Sequence, residues 1–177
     1  LDLGYFGFVA ANELITGNAL ASNVGITEGT AQFSDAGWLK WVHARRILFV
    51  AKKTFRHSIS WNHINSKGAV YGTKTISIGG KSYKVRLLTG ADTSGSEWNT
   101  IMYGAHQGYA PPWDNYNDQD LHTDSAHGSG SYSWCQEADG SNRVRRGNSG
   151  VANYSGARAP SYTDDHAGWR PCLELVN

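Results

Sequence analysis

Asp118, Asp120, His122 and Asp124 place an acid or an imidazole at every second position. Carboxylate oxygens in such a run are ligands of the type Ca²⁺ takes. An EF-hand loop needs glycine at its sixth position and glutamate at its twelfth. Counted from Asp118, those places hold Thr123 and Ser129. The run therefore fails as an EF-hand, and leaves either a Ca²⁺ site of another build or a solvated acidic loop. Asp164, Asp165 and His166 form a second acidic cluster. With Glu97, Glu137 and the 7 histidines they supply the groups for general acid–base chemistry. A working pair needs a separation of about 5–10 Å, which sequence does not give. No Gly-x-Ser-x-Gly elbow, His-Glu-x-x-His helix or phosphate-cradling loop is present. Gly147-Asn148-Ser149-Gly150 has no lysine and no helix after it, so it reads as a turn between strands. The chain is not read as an enzyme. No cofactor is expected, with Ca²⁺ as the one metal alternative.

Arg143, Arg145 and Arg146 make a short basic run. Strand alternation puts Arg143 and Arg145 on one face, Val144 and Arg146 on the other. Their expected role is structural, pairing with carboxylates or backbone carbonyls, with a phosphate or acidic-glycan contact as the alternative. Cys135 and Cys172 are too far apart in sequence for a zinc knuckle. They read either as two buried thiols or as one disulfide.

These groups must be held by 177 residues, a length that suits a single domain over 1–177. Lys plus Arg is 16 and Asp plus Glu is 15, a net charge of +1. That balance argues against non-specific nucleic-acid binding, which needs a basic face. No apolar run is long enough to span a membrane. The chain begins at Leu1 without a leader pattern, and so reads as the visible part or C-terminal module of a longer polypeptide. The pattern of elements is short strands, short helices and long glycine-rich loops. Strands are expected at Gly4–Ala10, 38–43, 47–51, 76–78, 83–87, 131–137, 143–147, 151–154 and 170–176. Asn12–Asn23 reads as two short helical pieces broken at Gly17. Ser60 is placed to cap a helix carrying Trp61 and Ile64. Alternation of Tyr83, Val85 and Leu87 with Lys84 and Arg86 predicts a hairpin strand with one wet face, closed by Gly79-Gly80. Ser94 to Ala105 predicts a helix with Ser94 and Glu97 as a capping box and Trp98, Ile101, Met102 and Ala105 on the core. Gly108–Gly130 reads as a long ordered coil. Strands outnumber helices, so the class is α+β with an antiparallel sheet, two or three short helices and long loops.

The chain has 7 Trp and 9 Tyr. Trp98, and Trp38 or Trp41, belong to the core by their spacing. Tyr109, Trp113, Tyr116, Tyr154 and Tyr162 instead lie among Gly, Asn, Asp and Ser. That is the composition of recognition loops, where rigid rings give contact area at low entropy cost. The alternative is that these rings cover a loop-rich core.

Arg143-Val144-Arg145-Arg146-Gly147, Ala157-Arg158-Ala159 and Gly168-Trp169-Arg170-Pro171-Cys172-Leu173 resemble the ending of C-type-lectin-like folds. The resemblance is to the formylglycine-generating-enzyme type and to the variable proteins of diversity-generating retroelements. Asn148 departs from that pattern, which has a second glycine there. Longer words, among them Gly37-Trp38-Leu39-Lys40-Trp41, Arg56-His57-Ser58-Ile59-Ser60-Trp61 and Ser133-Trp134-Cys135-Gln136-Glu137, resemble a domain of tailed-bacteriophage virion and tail-fibre proteins over positions 37–176. The catalytic cysteines of the formylglycine enzyme have no counterpart here.

These resemblances imply a C-type-lectin-like fold in a virion surface protein. The expected role is a receptor-binding or host-adhesion module of a tail fibre or tail tip. It would recognise a host cell-surface glycan or protein through Trp113, Tyr116, Asn153, Tyr154, Arg158, Tyr162 and Asp164. Two alternatives stand beside it. One is a structural virion protein, a capsid decoration or tail connector, whose loops bind other virion proteins. The other is a glycan-processing enzyme. Nucleic acid and membrane are not expected partners. A homo-oligomer, or many copies on the particle, is.

Overall fold

In the computed structural model, residues 3–107, 115–154 and 157–176 are described. Among the described residues, eleven strands form two sheets. The six-stranded sheet is built from β1 (Leu3–Val9), β3 (Trp38–His43), β4 (Arg46–Ala51), β11 (Cys172–Leu175), β7 (Lys81–Arg86) and β6 (Tyr71–Ile78), in that order. The five-stranded sheet runs β2 (Thr30–Ala31), β5 (Arg56–His57), β10 (Ala167–Trp169), β8 (Tyr132–Asp139) and β9 (Asn142–Gly147). The class is α+β, but the single antiparallel sheet expected from sequence is replaced by two. One of them contains a parallel pair, β10 with β8. Hairpin-joined strands must run antiparallel; β10 arrives at the end of the long 148–166 loop and is free of that constraint.

The six-stranded sheet is covered on both faces. Period-2 alternation sends successive residues to different cores. Trp38, Phe49, Ala51, Val85 and Leu173 pack with α1 (Gly17–Val24), α2 (Trp61–Ser66), Phe55, Trp134 and Trp169. Leu39, Trp41, Leu48, Val50 and Cys172 pack with Trp98, Ile101, Met102, Ala105, Cys135 and Val144. This is why Trp38–Ala51 reads as almost continuously apolar. Both cysteines are buried free thiols, the non-disulfide reading of the pair. Burial pushes the Cys172 thiol up to about 12.

Local chemistry sets the ends of most elements. Ser60 caps α2 by accepting from His63 N at 3.0 Å. Gly79 and Gly80 close β6–β7 with φ of 56° and 78°. The predicted helix from Ser94 starts later, at Glu97. Its first turn, Trp98–Met102, is π-helical, and α3 (Tyr103–Gln107) follows. Its apolar stripe is buried as expected. The capping box does not form, because Glu97 turns to the buried Arg86 instead, at 2.7 and 2.8 Å. Arg86 is thereby buried on the face of β7 expected to be wet. The coil expected over 108–130 contains α4 (Asp118–Leu121) and a 3₁₀ turn, Ser125–His127. The strand expected at 151–154 is a turn: the Ala152 and Asn153 carbonyls accept from the Arg146 guanidinium, and Asn153 O accepts from Gly147 N at 3.2 Å as well, without a ladder forming.

Arg170, between β10 and β11, is 1% exposed. Its Nε donates to Ser133 Oγ at 3.0 Å, and its terminal nitrogens to the carbonyls of Ala51 (2.9 Å), Lys52 (2.6 Å), Leu121 and His122 (3.3 Å). Arg170→Met strands this set of buried acceptors. It is expected to cost about 3–5 kcal/mol in urea unfolding, and a loss under about 1 kcal/mol would show that the network is dispensable. The β3–β4 turn offers the opposite test. Ala44 and Arg45 sit at φ of 48° and 62°, where a side chain is disfavoured. Replacing Ala44-Arg45 by Asn-Gly is expected to stabilise the chain by about 1 kcal/mol, read as a raised melting temperature.

Candidate functional site

β9 carries adjacent arginines to opposite sides of its sheet, and each gathers part of the 148–166 loop. On one side, the buried Arg145 guanidinium lies 4.2 Å from the Tyr132 ring, 5.3 Å from Trp134 and 5.5 Å from Tyr162. It also pairs with Asp164 at 3.3 Å. Arg158 reaches over the outer part of the same stack, 5.9 Å from the Tyr162 ring. Its backbone bridges Arg143 in both directions, at 2.7 and 3.1 Å. Three expected residues, Arg158, Tyr162 and Asp164, therefore meet on one surface. Tyr162 is 38% exposed, Arg158 is exposed and Asp164 half-buried.

On the other side, the buried Arg146 donates to the carbonyls of Gly90 (3.0 Å) and Asn153 (3.0 Å) and to Asn99 Oδ1 (2.8 Å). Asn153 turns its own Nδ2 to Gly147 O at 2.7 Å. Tyr154 is half-buried against the second core, 5.5 Å from Arg146. These two expected ligand residues thus shape the loop as well as line it. Tyr116 belongs to neither group. Its hydroxyl is 3.2 Å from that of Tyr5, and Lys52 Nζ lies 4.6 Å from its ring. Trp113 and Tyr109 lie outside the described residues.

The acidic run at 118–124 holds the fold together. Asn117 and Asp120 form a capping box on α4. Asp118 Oδ1 accepts from Thr123 Oγ1 at 2.7 Å and Val151 N at 2.8 Å. Asp124 caps the 3₁₀ turn through Ala126 N at 2.8 Å. The run is therefore not a merely solvated loop. His122 is fully buried, with Nδ1 2.7 Å from Thr54 Oγ1 and its ring edge-on to Phe33 at 4.8 Å. Asp164, Asp165 and His166 bring one ligand atom each to within 4.8 Å of one another, and Asp164 is already tied to Arg145.

Sequence reasoning missed a second constellation. A cleft of about 400 Å³ opens at the end of the six-stranded sheet, lined by His43, Arg46, Tyr71, Lys84, Arg86, Glu97 and Glu174 among others. Arg86 is its buried centre, held by Glu97 and, at 2.8 Å, by Glu174. Burial pulls the Glu97 carboxyl up, but the hydrogen bonds and charge of Arg86 outweigh it and hold Glu97 below the ordinary carboxylate range. Alternation marked Arg86 as charged. Nothing local connects it to residues 43, 97 and 174.

No family model matches the chain, and no curated protein or solved structure is significantly similar to it.

Burial, with Arg170 and Lys53 nearby, pushes the His122 imidazole down to about 4, so it is neutral at pH 7. Between its unfolded value of 6.5 and about 4 the unfolded chain binds the extra proton. Stability is therefore present above that window and lost as pH falls through it. Urea unfolding at pH 7 and pH 5 is expected to differ by about 2 kcal/mol, with most of the difference gone in His122→Asn. An equal pH slope in the variant would assign the effect elsewhere.

Proposed function

We propose that this chain is a C-type-lectin-like recognition module on the surface of a tailed-bacteriophage particle. It binds a host cell-surface glycan or protein without transforming it. The observation that carries this reading is the Arg143–Arg158 bridge and what it presents. The three segments that resemble the lectin-like ending, at 143–147, 157–159 and 168–173, belong to one neighbourhood of the five-stranded sheet: β9 holds the first, Arg158 bridges its start at Arg143, and β10 pairs with the stretch of β8 that faces the end of β9. The loop between them is closed at its base. It exposes Tyr162, Arg158 and Asp164 on a stacked, buried Arg145. A ring face flanked by a guanidinium and a carboxylate suits a sugar or a polar peptide.

A second reading, a structural virion protein that binds its neighbours, is favoured by β1. The outer edge of β1 pairs with no strand among the described residues, and Phe6 and Phe8 are exposed on it. An open apolar edge of this kind is a template for another chain.

The two readings separate in one experiment. The chain is displayed in many copies on fluorescent beads, to gain avidity, and offered to a panel of bacterial strains and their purified surface polysaccharides. Binding to at least one strain is expected, with a loss of about tenfold in Tyr162→Ala and in Arg158→Ala. Binding that survives both substitutions removes the loop from the role. Binding to no strain, together with a position of the chain within the particle's shell lattice, favours the structural reading.

A further inference from the structure

We infer that the cleft around Arg46, Lys84 and Tyr71 is a binding site for a sugar that carries a single carboxylate, such as a hexuronic or nonulosonic acid residue. This inference does not depend on the loop surface around Tyr162, and nothing in the argument for that surface uses the cleft.

The argument begins with charge. Three cationic side chains, Arg46, Lys84 and Arg86, line the cleft with two carboxylates, Glu97 and Glu174. Burial depresses the His43 imidazole, more than the nearby Glu97 raises it, and so His43 is neutral at pH 7. One positive charge is left over. A monoanion balances it, whereas a phosphate dianion leaves an uncompensated negative charge beside Glu174. The cations also differ in how firmly they are held. Arg86 is 5% exposed and hydrogen-bonded at 2.7–2.8 Å to both acids. Arg46 is 43% exposed, and its ion pairs with Glu97 and Glu174 are long, 3.5 and 3.4 Å. Lys84 is 47% exposed and 3.9 Å from Glu174. These pairs are long and exposed at their cationic ends, and Glu97 and Glu174 keep Arg86 when Arg46 and Lys84 turn away, so both cations can turn to an incoming carboxylate at little cost. Arg46 presents the planar fork that matches such a group.

The rest of the cleft supplies what a sugar ring needs. Tyr71 is 57% exposed yet fixed, its hydroxyl donating to Gln136 O at 3.2 Å and its ring edge-on to Trp61. It gives a flat apolar face for ring C–H groups. Glu174, which lines the same cleft, is a partner for hydroxyls. His43 Nδ1 is buried and has no hydrogen-bond partner among the described residues; a carboxylate oxygen of Glu97 is 4.0 Å away. A volume of about 400 Å³ accommodates one sugar residue with part of a second.

The test is calorimetric titration of the full chain, at low ionic strength, with galacturonate, N-acetylneuraminate, galactose and glucose 6-phosphate. One of the two carboxylated sugars is expected to bind in the millimolar range, with galactose weaker by about tenfold. The Arg46→Ala/Lys84→Ala double variant is expected to lose about tenfold of that affinity, and Tyr71→Ala to weaken acid and neutral sugar together. Both cations are exposed, and unchanged urea unfolding verifies that the double variant folds. Tyr162→Ala is expected to leave the affinity unchanged. No binding of either acid at about 50 mM overturns the inference, as does equal binding in the double variant. Glucose 6-phosphate binding as tightly as the uronate overturns the charge argument. Loss of binding in Tyr162→Ala places the sugar on the loop surface and overturns the cleft.

Discussion

A guanidinium buried without a carboxylate among its described partners fixes this architecture. Arg170 stands where the chain leaves the five-stranded sheet at Trp169 and enters the six-stranded one at Cys172. Its donors reach the end of β4, the end of α4 and the side chain of Ser133 on β8. One side chain thus ties both sheets and the 118–124 segment to a common point. Burial pushes its protonation down to about 9, so the charge persists at neutral pH and is balanced by carbonyl dipoles. Lysine could not replace it: a point charge with three donors lacks the planar spread needed to reach acceptors on three separate segments.

Buried guanidinium groups recur, Arg146 on carbonyls as Arg170 is, Arg145 and Arg86 with carboxylates. Arg146 serves the carbonyls of Gly90, Ala152 and Asn153; Arg145 is clamped between rings and Asp164; Arg86 joins β7 to the start of the helix and to β11. The reason lies in composition. A chain with 21 glycines and long connections leaves many backbone carbonyls outside helices and ladders. Buried carbonyls must still find donors. Arginine offers five per side chain and is too weakly hydrated to resist burial as strongly as an ammonium does. Buried arginines here do the work that regular secondary structure does in less loop-rich domains.

Sequence made legible whatever depends on near neighbours. The β6–β7 hairpin follows from Gly79-Gly80 between alternating strands, and the α2 cap from Ser60 three residues before His63. The buried stripe from Trp98 to Ala105 follows from helical spacing, although that spacing cannot separate a π-turn from an α-turn. Position between two strand motifs picked out Asn153, Tyr154, Arg158, Tyr162 and Asp164 together, but it did not separate the last three, which meet over Arg145, from the first two, which lie by Arg146. Whatever joins distant segments was not. Arg86 and Glu97 look like a surface strand residue and a capping residue; only the packing of the helix over the sheet turns them into a buried pair. The parallel pairing of β10 with β8 likewise depends on how a long loop returns.

Both exposed surfaces rest on the same stiff support. The Tyr71 ring in the cleft is held edge-on by Trp61 at 6.1 Å, and the Arg143 guanidinium covers Trp61 at 4.4 Å. The backbone of Arg143 is in turn paired to that of Arg158, which leans on Tyr162. A line of ring, guanidinium and backbone contacts therefore runs from the cleft to the loop, through the buried Trp61 and the half-buried Arg143, to exposed residues at either end. Each contact in that line is modest, worth about 0.5–2 kcal/mol. Their joint effect is to fix the rings at both ends before any ligand arrives. Ordering a free side chain at an interface costs about 0.5–1.5 kcal/mol, and a ring already held in place does not incur that cost. Where a weak site is displayed in many copies, that saving recurs in each of them.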